Sequence, residues 1–309
     1  MDMKESLPGH STHGMERQDT VRYTVAHERA KNLKESKLKG RNLRDFVGGM
    51  ISKESVQKAE AYVNHFDGLF NDALSTLPPE QVEYTERSKT IAECLEGVIL
   101  GNRNWFGLTA NVFPTTRYDD YKHGVDMVVE RSQDGFAQHE GVAMDVTYAG
   151  RNGIQKKVDR IVDNLKRGKL GTVSFFKSAD GSFKGELNNL PLVVIGADFN
   201  TMSDMINLFA EDSTKSNQQL AEHPFQFQMI EQVMLQCDTY IDLVEGFDMP
   251  AKDRETIVSA YTKLRATYKN LYRLKSEKTL SHVDHDMRDK FHINLQTYLE
   301  TLRPTVDQD

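Results

Sequence analysis

Apolar residues recur along the chain at helical spacing in some stretches and as short β-branched runs in others. Stripes with apolar positions three or four residues apart predict helices over about 52–74, 85–100 and 152–167. Short runs rich in valine, isoleucine and aromatic residues predict strands over about 108–113, 125–130, 141–148, 170–177 and 190–197, with a helix over 201–209. After Asp212 only helical patterns remain, over about 217–245, 252–275 and 286–302. This order predicts an α+β fold in which helices flank a central sheet.

The character of the sequence changes twice along the chain. Residues 1–50 mix glycine, serine, histidine and charges, and basic residues cluster from Arg29 to Arg44, so we expect a flexible basic N-terminal region. That region either contacts phosphates or is a solvated segment. Residues 51–212 carry the strand signals and residues 213–309 form a helical C-terminal extension.

Composition narrows the class of protein. No run of 18 apolar residues occurs, so we expect no transmembrane helix and no membrane partner. The first residues lack the apolar core of a signal peptide, which predicts a cytoplasmic protein. Cys94 and Cys237 fall in helical patterns, as ordinary buried thiols do. A net charge of −7 argues against a globally basic nucleic-acid binder, although a local basic patch would be enough.

Two acidic residues interrupt predicted buried strands. Asp126 lies in the run that follows Gly124, and Asp145 lies in the run 142–148, where strand alternation puts Asp145 and Thr147 on one face. Burying two carboxylates is costly unless a metal ion, a cation or a raised pKa compensates for their charge. The plainer alternatives are that Asp126 bonds its own turn and that Asp145 pairs with a basic side chain.

Residues on the neighbouring helices are candidates for the same site. On the helix 85–100, Glu96 lies at the border of the apolar stripe and is the acid most able to reach the interior. On the helix 152–167, Gln155 and Lys157 flank the stripe while Lys156 points away. Arg117 and Asp120, in a polar stretch before the second strand, position a phosphate or a third ligand, or else belong to a hydrogen-bonded loop.

The predicted elements follow one another as helix, strand, strand with Asp126, strand with Asp145-x-Thr147, helix and strand. This order resembles the core of the PD-(D/E)xK nuclease superfamily. The resemblance covers about residues 85–177. It implies a restriction-endonuclease-like fold, with a central mixed β-sheet flanked by helices and with helical N- and C-terminal extensions. It also implies that Asp126 and Asp145 are ligands of Mg²⁺ or Mn²⁺ and that Glu96 is an outer acid of the site.

The sequence departs from this family at Thr147, where the family has a lysine two residues after its second acid. A threonine carries no positive charge. Some branches of the family have the lysine on the following helix instead, and there Lys157 is the candidate. The resemblance therefore implies a catalytic set of Glu96, Asp126, Asp145 and Lys157, and the possible accessory residues are Asp120, Arg117, Thr147 and Gln155.

The function implied is a metal-dependent phosphodiester hydrolase that acts on nucleic acid, on DNA in preference to RNA, with a homodimer left open. The alternative is a non-catalytic nucleic-acid-binding or scaffolding protein that keeps the nuclease-like fold, and Thr147 favours it. A third reading is a helical interaction protein whose sheet is only a support.

Two other stretches carry short motifs. The run 194–201 looks like the strand-end motif of the endonuclease/exonuclease/phosphatase family, which would make Asp198 and Asn200 site residues. The plainer interpretation is a strand that ends at Gly196, with Asn200 or Thr201 capping the next helix. His282, His285 and Asp286 have helical spacing suited to a metal, or they lie at an exposed helix start.

Overall fold

The computed structural model describes residues 17–38, 42–48, 51–133, 136–146, 152–278 and 288–303. Its helices are α1 (Arg17–Leu38), α2 (Lys53–Ser75), α3 (Pro79–Gly101), α4 (Arg117–His123), α5 (Asn152–Lys166), α6 (Phe199–Glu211), α7 (Thr214–Ala221), α8 (Phe225–Glu245), α9 (Ala251–Lys278) and α10 (Lys290–Leu302). Its strands are β1 (Ala110–Pro114), β2 (Met127–Gln133), β3 (Phe136–Val146), β4 (Gly171–Lys177), β5 (Lys184–Leu190) and β6 (Leu192–Ala197). Single 3-10 turns lie at Leu43–Phe46 and Arg103–Phe106.

Four strands form a mixed sheet in the order β1-β2-β3-β6. The first three are antiparallel neighbours, and β6 runs parallel to β3. The crossover between β3 and β6 contains α5 and the antiparallel pair of β4 and β5. The fold is therefore mixed α+β, with helices against the sheet.

Strand pairing brings several chain segments to one end of this sheet. Pro114, the last residue of β1, pairs with Met127, the first residue of β2, and Met127 pairs with Val142 of β3. On the other side of β3, Asp145 pairs with Gly196 of β6. The β1–β2 connection and the C-terminal ends of β3 and β6 consequently share one edge.

One hydrophobic core joins the sheet to helices from both parts of the chain. The stripe Ile154, Val158, Ile161 and Leu165 of α5 is buried in it, as its spacing predicts. Residues of α8, α9 and α10 belong to the same buried cluster, with Met229, Tyr261 and Leu295 among its fully buried members. The stretch expected to be a C-terminal extension thus shares its core with the sheet.

The N-terminal part differs from the sequence expectation. A flexible region was expected over 1–50, but residues 17–38 form α1, and Tyr23, Ala26 and Ala30 are buried against α3 and α6. Two alanines and one tyrosine make only a weak apolar stripe, so the hydrophobic pattern did not predict that this helix packs on others. Small residues nevertheless let helices approach closely. Residues 1–16 lie outside the described part.

Three further differences concern short or polar elements. The stretch 117–123, expected to be a loop, is the helix α4. The polar strand β5 was not predicted, and the predicted strand 190–197 begins at Leu192, because Pro191 has no backbone N–H for a ladder. The predicted helix 217–245 is divided into α7 and α8 before Pro224. In the described part of the chain, no helix is long and apolar enough to cross a membrane.

Side chains cover the outer edge of β6. Gln236 and Gln232 on α8 each bond both backbone groups of one residue, Val194 and Gly196 respectively. The hydroxyl of Tyr261 on α9 bonds both backbone groups of Leu192. Because an unpaired buried N–H or C=O is costly, this row of side chains takes the place of a further strand.

Candidate functional site

The β1–β2 connection builds the floor of the candidate site. Thr116 caps α4 through a hydrogen bond from the backbone N–H of Asp119 to its side chain, and Gly124 ends the helix in the left-handed region (φ 65°). The backbone N–H of Thr115 donates to the carbonyl of Asp126 at 3.0 Å. This hydrogen bond joins the two ends of the β1–β2 connection. A one-helix insertion between two paired strands therefore positions Asp120 and Asp126.

Six acidic residues line one cleft of about 840 Å³, here named the carboxylate cleft. Three of them come from separate elements and act on each other's charge: Glu96 of α3, Asp120 of α4 and Asp126 directly before β2. The other three are Glu35, Asp45 and Glu60. The side chains of Glu96 and Asp126 are only 14% and 17% exposed. Glu96, Asp120 and Asp126 were all predicted from the sequence, Asp120 as an accessory residue.

Two lysines bring positive charge to these acids. Nζ of Lys157 on α5 lies 3.7 Å from Oδ2 of Asp126, and the ammonium of Lys34 on α1 forms an ion pair with Glu96. Lys156, the neighbour of Lys157, is exposed. Lys34 was not singled out from the sequence, because its contact with Glu96 joins residues 62 positions apart.

The acids of the cleft act on each other. Burial, and then the charges of Asp126 and Glu96, raise the pKa of Asp120 to about 7, while Lys157 and Lys34 oppose the shift. Burial also raises the pKa of Glu96, against the effect of Lys34. Burial lowers the pKa of Lys34, but the charge and hydrogen bond of Glu96, together with the charges of Glu93 and Asp120, raise it above its usual value. Three acids and two lysines leave an excess of negative charge that a proton or a cation can balance.

Asp119, next to Asp120, has a different task. Its carboxylate is fully buried and accepts hydrogen bonds from the backbone N–H groups of Ser174 (2.6 Å) and Phe175 (3.3 Å) in β4. The hydroxyl of Thr116 donates to it at 2.7 Å. Burial raises the pKa of Asp119 to about 6. This side chain fastens α4 to β4 and does not enter the carboxylate cleft.

Of the remaining candidate residues, Arg117 is the one that the structure places at the cleft. Arg117 lies on its rim, with an exposed side chain that bonds Asp67 at 2.5 Å and the hydroxyl of Tyr121 at 2.6 Å. Gln155 is half-buried on α5. The side chain of Asp145 and the whole of Thr147 lie outside the described part of the structure.

The donor chemistry of the cleft suits a hard divalent cation, because carboxylate oxygens are what Mg²⁺ prefers. Among the residues that the structure describes, however, no group of three or more His, Cys, Asp and Glu side chains has metal-holding geometry. Of the two metal ligands predicted from the sequence, Asp126 has a described side chain. The side chain of Asp145 lies outside the described part of the structure.

The two other motifs do not form a second site within the described ranges. Asp198 caps α6, accepting from the backbone N–H of Thr201 at 3.0 Å. The stretch does cap a helix, but the expected cap residues Asn200 and Thr201 lie inside α6, and Asn200 is exposed. His282, His285 and Asp286 lie outside the described residues.

The chain was compared with models of known protein families, with curated protein sequences and with solved structures, and none of the three comparisons gave a match.

Proposed function

We propose that this protein is a metal-dependent phosphodiester hydrolase that acts on nucleic acid, on DNA in preference to RNA. The observation that carries the proposal is the carboxylate cleft, where Glu96, Asp120 and Asp126 meet and Lys157 lies beside Asp126. Clustered acids can hold a divalent metal ion, and the metal and adjacent lysines can together stabilise the negative charge that develops on the phosphate oxygens during hydrolysis.

The sheet supports a restriction-endonuclease-like core as part of this proposal. The resemblance to the PD-(D/E)xK superfamily implies three antiparallel strands, a helix and a strand parallel to the third. The strand expected in that last place, 170–177, is instead β4 and pairs with β5, and the strand parallel to β3 is β6. Met127 pairs with Val142, so strand alternation predicts that the preceding residue, Asp126, shares a face with Ala143 and Asp145. Both proposed ligands then belong to one end and one face of the sheet.

Asp126 and Asp145 would hold Mg²⁺ or Mn²⁺ in this proposal, with Glu96 as an outer acid. The bound metal would polarise the phosphodiester and lower the pKa of a water molecule. The carboxylate of Asp126 and the excess negative charge of the cleft suit such an ion, and Asp145 is the second ligand of the proposal.

Lys157 and Lys34 carry the positive charge that Thr147 cannot supply. An ammonium 3.7 Å from Asp126 stands close enough to stabilise charge on a phosphate bound at that carboxylate. Lys34 neutralises Glu96 from the other side of the cleft and so limits repulsion between the cleft and a polyanionic substrate. The approach of Lys157 to Asp126 supports the hydrolase, since a cation beside a proposed metal ligand can stabilise the charge that develops during hydrolysis.

Cleavage assays test the proposal directly. Single- and double-stranded DNA and RNA are incubated with the purified protein in Mg²⁺, in Mn²⁺ and in EDTA, beside the Asp126→Asn and Asp145→Asn proteins. We expect metal-dependent cleavage by the wild-type protein and a loss of at least about 100-fold in either variant. If the wild-type protein cleaves no substrate yet binds nucleic acid, the non-catalytic alternative is correct.

A further inference from the structure

Four aromatic rings lie side by side on the surface formed by α2 and α4. Tyr62 and Phe66 of α2 have ring centroids 4.6 Å apart. The ring of Tyr118 lies 5.4 Å from Tyr62, and the ring of Tyr121 lies 6.0 Å from Phe66. Phe66 is 38% exposed and the three tyrosines are half-buried. We name these four residues the aromatic strip.

Basic side chains accompany the rings. The guanidinium of Arg117 lies 5.3 Å from the centroid of Tyr121, and Nζ of Lys122 lies 5.0 Å from that of Tyr118. Arg160 of α5 donates to the backbone carbonyl of Lys122, and it is exposed. Asp67 is the acid in contact with this group, through Arg117 and Tyr121. Arg117, Lys122 and Arg160 thus place three cations beside the rings, and the charge of the buried Asp119 also acts on Lys122.

The aromatic strip is continuous with the carboxylate cleft. Arg117 borders both, and α4 carries Asp120 in the cleft as well as Tyr118 and Tyr121 in the strip. At the other end of α4, Arg160 follows Lys157 by three residues on α5, a spacing that makes them neighbours on the helix surface. A chain bound along the strip would therefore lead into the cleft.

Rings interleaved with cations fit unpaired nucleotides better than they fit a duplex. Each base has two flat faces that stack on aromatic side chains, while lysine and arginine bind the phosphates between them. In a duplex the base faces are already stacked on each other, so no base face is free to stack on the aromatic side chains. A surface made for an apolar protein partner would gain little from three flanking cations.

We propose, resting on the proposed function, that the aromatic strip binds a single-stranded segment of nucleic acid and delivers the adjoining phosphodiester to the carboxylate cleft. The substrate class is then nucleic acid with unpaired bases, such as a single strand or a duplex with a single-stranded tail. Phe66 is the most exposed ring and is the specificity-determining residue to test.

The test uses the full chain with Asp126→Asn, so that binding is measured without cleavage. Fluorescence anisotropy compares a single-stranded oligonucleotide, its blunt duplex and the same duplex with a single-stranded tail. Replacing Phe66 by alanine should weaken binding to the two unpaired substrates by about 5- to 150-fold and change duplex binding by less than about twofold. Phe70→Ala is the matched control, because Phe70 is an equally exposed phenylalanine (44%) one turn further along α2 and outside the strip.

The outcomes separate this inference from the proposed function. Wild-type binding by the Phe66→Ala protein, or an equal loss for duplex and single strand, overturns the inference even if cleavage occurs. Selective loss of single-strand binding supports it even if the wild-type protein cleaves nothing. No binding to any oligonucleotide, combined with self-association that Phe66→Ala reduces in sedimentation, overturns it in favour of a protein-docking surface.

Discussion

The side-chain amide of Gln236 forms a two-bond pair with the backbone of Val194. Its Oε1 accepts from the N–H at 2.8 Å, and its Nε2 donates to the carbonyl at 2.8 Å. Gln232 repeats the arrangement with Gly196, at 3.1 and 2.9 Å. The four-residue spacing of the glutamines on α8 thus matches the two-residue spacing of groups that face outward from a strand.

Replacing Gln236 by leucine should destabilise the protein markedly. Both glutamines and β6 are fully buried, so the variant leaves a donor and an acceptor of Val194 without partners, at ~1–3 kcal/mol each. We expect the free energy of unfolding in urea to fall by about 2–5 kcal/mol. Gln219→Leu, on the exposed face of α7, is the control and should change it by less than about 0.5 kcal/mol. Equal effects of the two substitutions would contradict this account of the strand edge.

A buried ion pair between Arg131 and Glu140 gives a second test of stability. Nη1 of Arg131 lies 2.8 Å from Oε2 of Glu140, Tyr268 donates its hydroxyl to the same carboxylate, and Glu140 is 1% exposed. Arg131→Met leaves a buried carboxylate unpaired and should cost about 3–5 kcal/mol of unfolding free energy. The double variant Arg131→Met/Glu140→Leu should recover much of that loss, because neither charge then remains. Simple addition of the two single effects would show that the residues are not coupled.

Gly97 permits the close crossing of α1 and α3. A Cβ at Gly97 would meet the Cβ of Ala30 well inside contact distance and its Cα at 2.6 Å. Gly97→Ala should therefore displace α1, cost about 1–3 kcal/mol, and lower cleavage by moving Lys34 away from Glu96. Gly68→Ala, in α2, meets nothing within 4 Å and should instead add about 0.5–1 kcal/mol. Urea unfolding and a cleavage assay on both proteins measure the contrast, and a neutral Gly97→Ala would refute the packing argument.

Lys156 and Lys157 allow a test of whether a lysine on α5 acts in place of the one that the resemblance expects at position 147. Only Lys157 lies within 4 Å of Asp126, while Lys156 is exposed. If the charge of Lys157 stabilises the transition state, Lys157→Met should lower kcat by about 100- to 1000-fold, and Lys156→Met should leave it within about twofold. Comparable losses in the two variants would indicate a general charge effect, and unchanged rates in both would remove Lys157 from the proposed catalytic set.

Acid should destabilise the protein through His223. Its Nδ1 accepts a hydrogen bond from the backbone N–H of Phe225 at 3.2 Å, and burial lowers its pKa to about 4. The unfolded value is near 6.5, so the contribution is complete above that pH and is lost as the pH falls towards 4, by about 3 kcal/mol in all. His223→Asn keeps an acceptor that does not titrate, and its urea stability should therefore depend less on pH in this window. NMR titration of the ring should give the low pKa directly; a value near 6.5 would disprove the argument.

Elements with long apolar stripes were predictable, and polar or small-residue elements were not. α5 shows five stripe positions in 15 residues and was predicted to within a residue. α4 has seven polar and aromatic residues, Arg-Tyr-Asp-Asp-Tyr-Lys-His, and owes its helix to the cap at Thr116 and to the carboxylate of Asp119 held by β4. Such tertiary support leaves no periodic signal in the sequence.

The residues of the candidate site show the same difference between positions set by local spacing, which were predictable, and positions set by packing, which were not. Glu96, Asp126 and Lys157 follow from local rules, since each lies at a position fixed by helix or strand spacing. Lys34 does not, because its place depends on how α1 crosses α3 at Ala30 and Gly97. The rings of the aromatic strip come from two elements about 55 residues apart, Tyr62 and Tyr118, and only packing brings them together.

The position of α1 has a consequence for synthesis of the chain on the ribosome. Its contacts reach α6: the hydroxyl of Tyr23 lies 2.7 Å from that of Ser203, and the guanidinium of Arg29 lies 4.2 Å from the ring centroid of Phe209. α3 follows α1 within about 60 residues, whereas the part of the receiving surface on α6 is made some 180 residues after α1. The ion pair of Lys34 with Glu96 therefore needs only α3, while the contacts of Tyr23 and Arg29 can form only after α6 has been made.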